Sequence, residues 1–153
     1  MNLSDDIERL KHVPFLRALD DEVLRLIAFN GERLTVPDGA TLFFEGEMAQ
    51  GALFLLDGAL SLQMLVKGEL RERSVLREGA LIDAYALISE MRRSATAKSV
   101  GNVRALLLDR KTFRKVLENY PELAEKIQDF LAKDIDRTVR SLNSVAARLD
   151  FLD

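Results

Sequence analysis

The chain has 153 residues, 48% of them hydrophobic and 31% charged, with a net charge of −3, one histidine and no cysteine. That length suits one domain able to bury most of its unfolded surface, and the composition is that of a globular chain, not a disordered or collagen-like one. Without cysteine there are no disulfides, thiolate metal sites or thiol nucleophiles, and with His12 alone, triads and multi-histidine metal sites are poorly supplied, so neither an enzyme nor a metal site is expected.

The negative balance disfavours broad contact with a polyanion, and nucleic acid is not an expected partner. Membrane contact is not expected either, because no apolar run approaches the roughly 18 residues of a span. The acidic start, Ser4-Asp5-Asp6, is the opposite of a basic signal segment, so the expected location is cytoplasmic.

Ser4 reads as the N-cap of a first short helix on which Leu3, Ile7 and Leu10 share a face up to Pro14. Asp20 reads as the cap of a second, striped by Val23, Leu24, Ile27 and Ala28 and stopped by a left-handed Asn30-Gly31. The texture changes at Glu32. Short apolar or alternating runs then follow one another: 33–36, 41–44, 52–56, 59–66, 69–76, 94–100 and 103–108. Pro37-Asp38-Gly39, Gly46, Asp57-Gly58, Lys67-Gly68, Gly79 and Gly101-Asn102 punctuate them. Asp57-Gly58, between Leu53-Phe54-Leu55-Leu56 and Ala59-Leu60-Ser61-Leu62, carries the strongest hairpin signal, since a type I′ turn wants two residues of positive φ. Many short strands at this spacing predict an antiparallel sandwich or barrel.

Within this region Gly79 to Ala97 combines a turn, a short helical segment and paired arginines. Backbone amides, a hydroxyl and guanidinium groups brought together in that way suit an anion. Asp109 then caps a helix bearing Phe113, Val116, Leu117 and Tyr120, and Pro121 restarts the chain. In the last helix Leu131, Ile135, Thr138, Leu142, Val145, Leu149 and Leu152 step alternately by four and three, a heptad seam that predicts a homodimer.

This order of features resembles the cyclic nucleotide-binding domains of the catabolite-activator type. The likeness runs through Phe15-Leu16, Gly39, Gly46, Phe54 to Gly58, Gly79, Ala86-Leu87 and Arg93-Ser94-Ala95-Thr96 to the long helix. It implies an α+β fold: an antiparallel β-roll (a jelly-roll-like double-stranded β-helix) over 32–109, with its phosphate cassette in 79–97. N-terminal helices in 1–31 and C-terminal helices in 110–153, including a long dimerisation helix, flank the roll. The implied ligand is cyclic AMP or cyclic GMP, with no other cofactor, and the implied role is a regulatory one in signal transduction. The family's cassette reads Phe-Gly-Glu, an apolar pair, then Arg-Ser/Thr-Ala. Arg93 and Ser94 stand at the phosphate-binding arginine and hydroxyl, and Ala86 with Leu87 at the apolar pair.

The first half of the cassette departs from the pattern. Ile82, Asp83 and Ala84 replace Phe, Gly and Glu, so the carboxylate that receives the ribose hydroxyl is missing, with Tyr85 following. Losing that charge-assisted bond removes about 1.5 to 3 kcal/mol, and Asp83 near a phosphate adds repulsion, so weak or altered binding is expected. Asp83 could instead pair with Arg92 or Arg93 as an internal anion. Thr138 aligns with the family's cross-dimer base contact, although at a seam position it reads first as a polar coiled-coil residue.

Two readings follow: a ligand-responsive regulatory module signalling through its long helix, or a dimerisation and interaction module whose ligand site has lapsed. With Asp153 closing the chain soon after the seam, a helix-turn-helix is not expected, and output would pass to another protein.

Overall fold

The computed structural model describes residues 3–129 and residue 132. The seam residues Leu131, Ile135, Leu142, Val145, Leu149 and Leu152, and Thr138, lie outside the described residues.

Helix α1 (Leu3–Leu10), a 3-10 turn (Pro14–Ala18) and α2 (Asp21–Asn30) precede the strands. These are β1 (Glu32–Val36), β2 (Thr41–Phe43), β3 (Gly51–Val66), β4 (Glu69–Leu76), β5 (Leu81–Ile82) and β6 (Thr96–Asp109), with a second 3-10 turn (Ala84–Leu87) after β5. Helix α3 (Arg110–Glu118) follows, and residues 121–129 are again helical. Among the described residues no helix is long and apolar enough to cross a membrane.

All pairings are antiparallel, in the order β1-β6-β3-β4, with β2 added to β6 and β5 to β3. Side chains on the long strands alternate between two cores, as the period of a strand requires. Phe54, Leu56, Leu106 and Leu108 join the helices in one cluster with Leu24, Phe113 and Ile127. Leu53, Leu55, Leu60, Ala97 and Ala105 fill the interior of the roll with Phe43. The antiparallel β-roll with flanking helices is therefore present.

Three local expectations are corrected. Asp57-Gly58 is not a hairpin: β3 runs through it and pairs with β6 on both sides, Asp57 opposite Arg104 and Ala59 opposite Val100. The register shifts at this point, and Gly101-Asn102 lies within β6 directly across, so both strands bend together. Gly58 has φ +92, and a Cβ there would stand 2.4 Å from the Asn102 carbonyl oxygen, which explains the glycine without a chain reversal. The two-residue hairpin is Lys67-Gly68, both with positive φ (51° and 83°), joining Val66 to its partner Glu69.

Second, Gly31 is extended (φ −70, ψ 146), not left-handed. It is small because a Cβ would meet Leu106 Cδ1 at 2.7 Å, and Asn30 Nδ2 instead donates to Leu26 O at 2.8 Å. Third, α1 already includes Leu3, which places Ser4 inside the first turn. Asp20 stands at the N-cap of α2 with no side-chain bond, whereas Asp109 caps α3 by accepting from the Thr112 amide at 3.3 Å.

Candidate functional site

The loop from Gly79 to Ala95 leaves the sheet at β5, makes one 3-10 turn and returns beside the β2–β3 connection. Gly79 N donates to Leu55 O and Leu55 N to Ala80 O, both at 2.9 Å, so the departure point is fixed to the middle of β3. Ala86 N donates to Asp83 O at 2.9 Å, and Ile88 and Ser89 both donate to Tyr85 O at 3.1 Å, closing the turn. Ala86 and Leu87 are buried under it, while Ala84 and Tyr85 are half-buried against the helix-side core. The return is pinned by Ala49 N to Met91 O (2.9 Å), Arg93 N to Glu47 O (2.7 Å) and Gly46 N to Arg93 O (2.8 Å).

Inside this frame the Arg93 guanidinium is buried, 7% exposed, and Nη1 donates to Asp83 Oδ2 at 2.9 Å. The Asp83 side chain is 13% exposed, so the pair is largely out of water, where an unpartnered charge would be strongly unfavourable. The guanidinium also lies over the Phe43 ring, its carbon 4.4 Å from the centroid. Asp83 sits in the left-handed region (φ 56, ψ 50), a conformation that glycine adopts freely and aspartate tolerates. Of the two partners open to Asp83, the structure takes Arg93. Arg92 is exposed and donates to Gly46 O at 2.8 Å.

Ser94 is exposed at the bend before β6. Arg93, Asp83 and Ala84 are thus brought to one loop with Ser94 beside them, while Tyr85 and Ala86 serve mainly to pack the turn. A cavity of about 170 Å³ touches Arg93 and Phe43 and is lined on its other sides by leucines, Leu34, Leu42, Leu53 and Leu107, and by Glu47, Met48 and Gln50. Chemically the loop holds a buried cation already paired with a carboxylate of its own segment.

Sequence reasoning missed Phe43, because a stacking partner some fifty residues from Arg93 leaves no local signal. It also took Asp6 only as part of an acidic start. Asp6 is fully buried and ion-paired with Arg33.

The fold is an antiparallel β-roll with one loop turned over a buried arginine. The chain belongs to the cyclic nucleotide-binding domain family, whose model matches residues 33–120. It is 26% identical over 125 residues to a cyclic AMP receptor protein of Thermus thermophilus, covering 81% of this chain and 58% of that protein, so the chain spans less than two thirds of this curated relative. The cyclic nucleotide-binding-like protein from Brucella abortus shares 31% identity at a TM-score of 0.70, over 74% of this chain and 98% of that one. The N-terminal domain of a Streptomyces coelicolor transcriptional regulator shares the fold, with a TM-score of 0.77 at 24% identity, over 88% and 94% of the two chains.

Proposed function

We propose that this domain is a regulatory module that takes cyclic AMP or cyclic GMP weakly, at Arg93 and Ser94, and signals through its C-terminal helix as a homodimer to a protein partner in the cytoplasm. Membership of the family supports the cyclic nucleotide as ligand class. The single observation that carries weak binding is the Asp83–Arg93 pair at 2.9 Å. A cyclic phosphate reaching Arg93 must displace a carboxylate already bonded there, and the Ala84 side chain offers no acceptor to the ribose in return. The missing charge-assisted bond alone is worth about 1.5 to 3 kcal/mol, or roughly tenfold to hundredfold in affinity.

Calorimetric titration tests this directly. The wild-type chain should respond only near millimolar nucleotide, and Asp83→Gly with Ala84→Glu should tighten binding by at least tenfold. A folded double variant with no gain would place the defect elsewhere and sink the reading. The same pair favours a second reading, in which the carboxylate replaces the ligand altogether and the domain is an interaction module. Silence of the wild type at millimolar cyclic AMP and cyclic GMP would select it for those nucleotides.

A further inference from the structure

The side chain of Arg110 is placed against the grain of its own helix. It occupies the first position of α3, where a cation opposes the positive end of the macrodipole, and the acid at that end, the N-cap Asp109, has its carboxylate accepting from the Thr112 amide. Local preference therefore does not explain an arginine there, and its tertiary contacts do. Nη1 lies 3.0 Å from Ala49 O, 3.2 Å from Ala86 O and 3.1 Å from Ser89 O. The Ala86 carbonyl lies at the end of the loop's 3-10 turn and that of Ser89 just beyond it, where acceptors run out of backbone donors and a cation is welcome. Ala49 belongs to the β2–β3 connection, whose amide is already bonded to Met91 O on the loop's return arm. The Arg110 amide in turn donates to Gln50 O at 2.9 Å.

We propose that Arg110 is a positioning residue for the anion loop, fixing the end of its 3-10 turn against α3 and carrying the loop's position into that helix. One guanidinium nitrogen has two hydrogens, so three carbonyls share them and at least one bond is bifurcated. Such an arrangement is sensitive to displacement: a shift of the 86–89 backbone by about an ångström changes which carbonyls are held, and the first residue of α3 follows. The inference concerns the loop's geometry alone, and its test contains no nucleotide, so it fails or succeeds separately from the ligand reading.

The test is hydrogen exchange on the whole chain. In Arg110→Gln the amides of Ala49, Ile88 and Ser89 should exchange about tenfold faster, while that of Leu106, paired with Phe54 in the β3–β6 ladder, keeps its rate. A double-mutant cycle then separates positioning from plain support. Asp83→Gly should change exchange at the Arg110 and Thr112 amides when Arg110 is present, and in the Arg110→Gln background the position 110 and Thr112 amides should no longer respond. Arg110→Lys, which keeps the charge at a single point, should loosen the loop less and serves for the same comparisons if the glutamine variant does not fold. Equal acceleration everywhere including Leu106, no acceleration at Ala49, Ile88 and Ser89, or an Asp83→Gly effect on α3 that persists without Arg110 would each overturn the proposal.

Discussion

At Asp83 the backbone and the side chain pull in opposite directions. A left-handed non-glycine residue is strained by about 1 kcal/mol, and the ion pair to a nearly buried guanidinium holds it there. Substitutions should separate the two effects. Asp83→Ala keeps the strain and strands Arg93, so unfolding stability should fall by about 3 kcal/mol. Asp83→Gly strands Arg93 but relieves the backbone, and should be about 1 kcal/mol more stable than the alanine variant in urea unfolding at equal m-value. Were alanine as stable as glycine here, the strain would not be real. The residues on this loop were legible from the sequence because they lie within a dozen positions of one another. Phe43 over Arg93 and the carbonyls under Arg110 were not, since each contact joins segments that only the closed roll brings together.

Among the elements, the apolar faces of the helices and the Asp109 cap were read closely, while the ends of α1 and α2 and the strand turns were not. Capping residues and apolar stripes act within a few residues, and Asp109 or the Val23-Leu24-Ile27 face needs nothing distant to be recognised. A turn dipeptide says only that φ is free to become positive. Asp57-Gly58 and Lys67-Gly68 are both acceptable type I′ sequences, yet one bends a continuous strand and the other reverses it. What decides is the strand lying opposite, β6 in the first case and β4 in the second. Gly58→Ala should therefore destabilise by more than about 2 kcal/mol, combining strain at φ +92 with backbone overlap at Asn102, in thermal or denaturant melts. Lys67→Asn, which eases a left-handed position in open solvent, should stabilise by a few tenths to about 1 kcal/mol. If the two substitutions have similar effects, the distinction drawn between bend and hairpin is mistaken.

For the molecule as a whole, the sequence showed helices at both ends of a region of strands, and the resemblance turned those strands into a roll that the structure and its relatives share. The heptad seam beyond the described residues carries its own expectation. Leu142→Asp should convert a dimer to a monomer in sedimentation, and an unchanged mass would remove dimerisation from the proposed mechanism. The paired bend of β3 and β6 has a consequence for how the chain folds. Their ladder joins Gly51 with Asp109 at one end and Gln63 with Thr96 at the other, so β4 and the loop from Gly79 to Ala95 both lie inside the long chain loop that this pairing closes. Closing that loop costs entropy that the local β3–β4 hairpin does not meet, so the β3–β6 ladder belongs to the slower, non-local pairings. The Arg93–Asp83 pair closes within one short loop and needs no such closure, whereas Arg93 over Phe43 joins distant segments and so reports the completed roll.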